Sequence, residues 1–308
     1  MVYGRINNGL AREGMRNIFY RILMVLSKWF GVWFFILISR MVSTGYFLFF
    51  LRRRAVSVLF YKALFPGENR YFHIKCAWKQ YHQFTYIFLD RFLYHDFNNI
   101  THTREGAEHL DNMKKSGKGG VLLMSHLGNW EIAANFLKQY GLRILLYMGR
   151  KHKEQIEGMQ KDSLIQTGIK IVAVDSEENS PLNVLDAITH LKSGGIVSLA
   201  GDRIWSEKQR TVRVRFLGHE ALLPETPYLL ALLARVPLYI FFAFRTGHNH
   251  YHLIISPPIY LEEASRGERE ETITITAQQY ADTLETFLRK HPYEWHHFEP
   301  FLIQKTEE

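Results

Sequence analysis

Apolar and polar positions fall into three textures along the chain. From Phe19 to Leu51 apolar side chains dominate, interrupted only by the charges of Arg21, Lys28 and Arg40. The cleanest stretch, Trp29 to Ser39, is eleven residues long, short of the roughly 20 that a helix needs to cross a hydrocarbon core. Extending it to Leu51 puts Arg40 near mid-span, where a charge costs about 2.5–3.5 kcal/mol even on the most lenient insertion scale. Three readings stay open: an interfacial or re-entrant helical hairpin, one transmembrane helix, or a buried N-terminal helix of a soluble protein. In either membrane reading Trp29 and Trp33 on one side and Arg52, Arg53 and Arg54 on the other serve as interface anchors, with the arginines on the cytoplasmic side. The apolar run starts late and no small-residue cleavage pattern follows it directly, which argues against a signal peptide.

Residues 72–96 have helical periodicity, with Phe72, Ala77, Tyr81, Phe84, Ile87, Phe88 and Phe92 near one side, and predict an amphipathic helix that caps the following domain. From about residue 100 short apolar runs (GGVLLMSH, LRILLYMG, KIVAVD, GIVSLAGDR, PLYIFFAFR, YHLIISPPI) alternate with helical patterns such as WEIAANFLKQYG, HKEQIEGMQKDSLIQTG and TPYLLALLARV. This alternation predicts an α/β fold with a central mixed sheet flanked by helices, preceded by an N-terminal membrane-associated helical segment. The implied divisions are a basic, apolar segment 1–62, a helical cap 63–100 and a catalytic domain 101–308.

Charge changes that picture in one respect. The 308 residues carry a net +8, but residues 1–62 hold ten Lys or Arg and one acid, a net +9, and the rest is a near-neutral body of net −1. Positive charge joined to apolar surface suits an anionic membrane surface rather than a nucleic acid. The one cysteine, Cys76, excludes an intramolecular disulfide and a cysteine zinc cluster. GxGxxG, P-loop and HExxH patterns are absent from the sequence, so neither a nucleotide nor a metal is expected.

The segment Gly119–Gly141, GGVLLMSHLGNWEIAANFLKQYG, concentrates the candidate chemistry. Val121–Met124 read as a buried strand, Asn129 as a helix N-cap, Gly141 as the helix stop, and His126 stands at the strand's carboxyl end, where α/β sheets place their sites. His126 and Glu131 lie five residues apart, about 140° on one continuous helix, so they cannot pair on one helical face. Across a strand-to-helix turn both can enter one crevice, as a base and the carboxylate that fixes its tautomer. The plain alternative is a capping Glu beside a structural His.

SHLGNWE at Ser125–Glu131 resembles the H-x4-D/E motif of the lysophospholipid acyltransferase superfamily, specifically its lipid A biosynthesis (lauroyl/myristoyl) branch. Two further blocks are similar to that branch: Gly201–Arg245, with an Asp after a strand, an FxG turn at Phe216–Gly218 and a Pro-led helix, and the C-terminal HPYEWHHF at His291–Phe298. FTYIFLDRF and RTVRVRFLG look most like the predicted bacterial acyltransferases of aryl-polyene-type lipid clusters. The resemblance implies a membrane-associated O-acyltransferase on the cytoplasmic face of the bacterial inner membrane. It would move a fatty acyl chain from acyl carrier protein or coenzyme A to a hydroxyl of a lipid or glycolipid, with the thioester as co-substrate and no cofactor. It assigns His126 as general base, oriented by Glu131, with Arg150, Asp202, Arg203 and Asn129 as substrate-binding candidates. Arg150 could hold a phosphate by its planar fork, and Arg203 could pair with Asp202 while stabilising an oxyanion. An Asp-Arg pair at this turn departs from the lipid A enzymes and argues for a different acceptor. Trp295, His296 and His297 read as packing rather than a metal site. Two other functions remain: a non-catalytic lipid-binding protein on the same fold, and an acyl thioesterase using the same His to activate water.

Overall fold

The computed structural model describes residues 26, 29–93, 100–149, 170–174, 181–206, 208–261 and 267–303. Among the described residues three helices precede the body: α1 (Val32–Phe49), α2 (Leu51–Leu64) and α3 (Arg70–Leu93). The apolar stretch thus runs past Arg40 as one helix of 18 residues, long and apolar enough by length and composition to cross a membrane. Most of its surface is exposed, Trp33 and Met41 at 61% and Phe49 at 82%, and Phe35, Ser43 and Phe47 are its buried residues. Asn69 starts α3 by accepting from the Phe72 amide at 2.9 Å, the side-chain cap that satisfies a first-turn donor.

The body alternates strand and helix through β1 (Thr101–Glu105), α4 (Ala107–Ser116), β2 (Gly120–Met124), α5 (Trp130–Gln139), β3 (Ile144–Gly149), β4 (Lys170–Val174), α6 (Pro181–Lys192) and β5 (Ile196–Ala200). It continues through β6 (Thr211–Phe216), β7 (His219–Pro224), α7 (Thr226–Ala234), β8 (Leu238–Arg245), β9 (His250–Ile255), α8 (Arg269–Lys290) and β10 (Leu302–Ile303). Seven strands form a mixed sheet in the order β1-β9-β8-β2-β5-β3-β4. All its neighbours are parallel except β8 and β9.

Period-two alternation divides the sheet's side chains between two cores. Val121, Leu123, Val197, Leu238, Ile240 and Phe242 enter one with α6, α7 and α8, and Leu122, Met124, Ile196, Tyr239 and Phe241 enter the other with α4 and α5. Tyr61, Leu64, Ala77 and Tyr81 join α2 and α3 to the first core. The expected helix within residues 151–169 lies outside the described residues.

One addition was not expected. TVRVRF, alternately exposed and buried, pairs antiparallel with β7, and β7 with β10, as a separate three-stranded sheet. Its hairpin turns on Leu217 and Gly218, both at positive φ.

Candidate functional site

Strands β2 and β5 are parallel neighbours in register, Met124 opposite Ala200. His126 and Asp202 each lie two residues beyond that last pair, so the register carries both to the same edge of the sheet, at the carboxyl ends of its strands. Gly201 N–H closes onto the Met124 carbonyl at 2.7 Å and fixes the second loop against the first.

Asp202 then meets His126 twice. Its Oδ2 accepts from the His126 amide at 2.8 Å, and its Oδ1 lies 2.9 Å from His126 Nδ1. Trp295 Nε1 also donates to Oδ2 at 2.8 Å. Asp202 is fully buried. Burial alone would raise its pKa, but attraction to the His126 ring and the hydrogen bonds from His126 and Trp295 outweigh it and hold the carboxyl well below the usual carboxylate range. An ionised Asp202 accepts only, so Nδ1 carries the proton and Nε2 the lone pair, a tautomer assigned from the network. Arg203 NH1 lies 3.3 Å from that Nε2, and Arg203 NH2 lies 3.5 Å from Glu299. The imidazole thus has a carboxylate behind it and a guanidinium in front, and it keeps partial access to solvent with 17% of its side chain exposed.

The C-terminal segment completes this pocket. Trp295 bridges Leu127 in antiparallel fashion, the His296 amide donates to the His126 carbonyl at 2.8 Å, and the Gly128 amide donates to the Glu294 carbonyl at 3.0 Å. His297 stands edge-on to His126, ring centroids 5.8 Å apart. Burial, with the His126 charge adding to it, pushes His296 down to about 3. Burial also dominates at His297, pushed down to about 4 despite the attraction of Asp202.

Gly128 is a local requirement. Its φ is +83°, and a Cβ there would collide with the Ala243 carbonyl oxygen. The close approach lets the Asn129 amide bond the same carbonyl at 2.8 Å. Asn129 then caps α5, its Oδ1 accepting from the Glu131 and Ile132 amides at 3.2 and 3.4 Å. Its Nδ2 donates to Tyr251 Oη at 3.1 Å, and Tyr251 donates in turn to Asp90. Arg245 Nε reaches both Asp90 oxygens, at 3.0 and 3.2 Å. Burial raises the Asp90 pKa against the opposing pull of Tyr251 and Arg245. This buried chain ties α3 to the start of the α5 helix that follows His126.

The expected site residues therefore separate. His126, Asp202 and Arg203 converge. The carboxylate hydrogen-bonded to the His126 ring is Asp202, expected at the substrate surface and paired with Arg203, whereas Glu131, expected as the orienter, is buried in the first turn of α5. Asn129 caps α5 and donates to Tyr251, and Arg150 lies outside the described residues. Trp295, read as packing, donates to the Asp202 carboxylate. Its signal was present in HPYEWHHF, but only the folded chain brings that block under residue 202.

A family model described as bacterial lipid A biosynthesis acyltransferase matches residues 81–302, a span that contains all of these side chains. The phosphatidylinositol mannoside acyltransferase of Mycobacterium tuberculosis (strain ATCC 25618 / H37Rv) is 26% identical over 200 residues, covering 63% of this chain and 58% of the relative. That of Mycolicibacterium smegmatis (strain ATCC 700084 / mc(2)155) is 23% identical over 196 residues, covering 64% of this chain and 60% of the relative. The chain thus spans about three-fifths of the length of these relatives. With the family match covering His126, Asp202 and Trp295 alike, the chain belongs to the bacterial lipid A biosynthesis acyltransferase family.

Proposed function

We propose that this chain is a membrane-associated O-acyltransferase that transfers a fatty acyl group from an acyl thioester to a hydroxyl of a lipid or glycolipid. The observation that carries the reading is the His126 imidazole, its Nδ1 held by buried Asp202 at 2.9 Å and its Nε2, the base, facing Arg203 NH1 at 3.3 Å. Nε2 takes the acceptor's hydroxyl proton while the oxygen attacks the thioester carbonyl. The new C–O bond forms, the tetrahedral oxyanion collapses, and the C–S bond breaks. The imidazolium returns its proton to the departing thiolate, leaving ester and free thiol.

Asp202 is the positioning carboxylate, since it selects the tautomer and favours the imidazolium. Arg203 stands where a developing oxyanion gains most from a fixed positive charge. Glu131 keeps the charge-balancing role that the motif implies, and Arg150 a phosphate contact. The donor is acyl carrier protein or coenzyme A, and the reaction calls for no metal or organic cofactor. Exposed apolar α1, with basic residues 1–62, seats the chain on the anionic cytoplasmic face of the bacterial inner membrane.

The test is purified full chain with acyl thioester and bacterial lipid extract, following thiol release and products by mass spectrometry. Acylated lipid should appear in step with thiol and disappear in His126→Ala. Thiol released with free fatty acid instead would make it a thioesterase. Release of neither would leave a lipid-binding protein.

A further inference from the structure

A cavity of about 930 Å³ opens between α1, α3 and Tyr293, away from the His126 ring. Its α1 wall carries Leu37, Arg40, Met41, Thr44 and Leu48, and its α3 wall includes Lys79, His82 and Tyr86. Both sets have the spacing of one helical face. The walls are joined at discrete points. Arg40 donates to Tyr86 Oη at 3.3 Å, and Thr44 Oγ1 meets His82 Nε2 at 3.1 Å. Lys79 reaches Tyr293 Oη at 3.5 Å, with its ammonium 4.7 Å from that ring's centroid.

Among the described residues two cations line this cavity and no carboxylate does. Among the described residues neither Arg40 nor Lys79 has an acidic partner. Tyrosine hydroxyls leave both positive charges uncompensated. The aliphatic part of the lining, Leu37, Met41 and Leu48, lies on α1, with Trp78 of α3 beside it, and the remaining surface of α1 exposes Trp33, Val42 and Phe49. Resting on the membrane seat proposed above, such a groove faces acyl chains along its apolar length and requires an anion at its basic positions. The same arrangement removes the difficulty of Arg40 in mid-helix, because an intramembrane charge is tolerated where it faces a partner rather than hydrocarbon. The volume falls within the range of ligand pockets, about 300–1,000 Å³.

We propose that the α1–α3 groove binds an anionic phospholipid of the bilayer, its phosphate between Arg40 and Lys79 and an acyl chain along Leu37, Met41 and Leu48. Gly45 on the groove wall offers a clean way to block it, because a Cβ there meets nothing within 4 Å and Leu is a better helix former than Gly. Gly45→Leu should therefore fold normally and fill the groove.

The experiment is native mass spectrometry of the detergent-purified full chain with added phosphatidylglycerol or phosphatidylcholine. The wild type should retain phosphatidylglycerol at least fivefold better. Arg40→Gln/Lys79→Gln should lose that preference, and Gly45→Leu should lose retention of the bound lipid, with thermal unfolding unchanged in both. Equal retention of the two lipids, or a preference that survives in the double variant and in Gly45→Leu, would overturn the proposal. His126→Ala should retain the lipid as the wild type does, so failure of the acyltransferase reading would show in the transfer assay and leave this result standing.

Discussion

The crevice at the end of β2 and β5 and the groove between α1 and α3 both set charged side chains among apolar ones, and they treat them in opposite ways. In the crevice the carboxylate and the imidazole are both answered: Asp202 takes three donors, and His126 meets Asp202 on one ring nitrogen and Arg203 on the other. In the groove, among the described residues, Arg40 and Lys79 meet tyrosine hydroxyls. A closed network fixes geometry and protonation state, which general-base chemistry requires. An open pair of like charges fixes neither, and is completed by what binds there.

Breaking the closed network should have the largest effect. His126→Ala should lower acyl transfer at least about 10³-fold, some 4 kcal/mol of barrier, with circular dichroism establishing that the variant is folded. Next comes the buried chain behind it: Asp90→Asn leaves Arg245 facing a neutral group and should destabilise the fold by about 3 kcal/mol, as breaking a buried pair does, measured by denaturant unfolding.

A pH series sharpens the contrast further. His296 and His297 have folded pKa values pushed down to about 3 and about 4, below the unfolded value near 6.5. The unfolded chain therefore binds more protons between those limits. Stability is fully present above about pH 6.5 and should fall on acidification towards pH 4, by about 1.4 kcal/mol per pH unit for each histidine. His297→Gln should flatten the slope by one proton's worth. The smallest effect belongs to the open pair: Arg40→Gln/Lys79→Gln should shift stability by no more than about 0.5 kcal/mol, because no acidic partner is lost.

How much of this was legible in the sequence depended on distance along the chain. The buried run Val121–Met124, the Asn129 cap and His126 at the strand end all lie within ten residues, and local pattern located them. The partner of His126 did not follow from that pattern. Glu131 was the nearest carboxylate in sequence, but the side chain on the ring is Asp202, 76 residues away, brought there by the parallel register of β2 and β5. Trp295 is a further 93 residues beyond Asp202, and its role depends on the C-terminal segment crossing under both strand ends. Strand β1, exposed at every residue, carries no apolar signal at all, whereas the alternation in TVRVRF marks a strand but not the separate sheet that it joins with β7 and β10. The α1 helix shows the same limit. Composition placed Arg40 in mid-span, but only packing against α3 shows what it faces.

The central claim is that Asp202, rather than Glu131, orients His126. The most direct measurement is the rate of acyl transfer by purified Asp202→Asn, with circular dichroism to establish that it is folded. An amide at 202 can present its NH2 to Nδ1 and favour the wrong tautomer, so a loss of about 10²–10⁴-fold is expected. A folded Asp202→Asn enzyme working within twofold of the wild type would contradict the account.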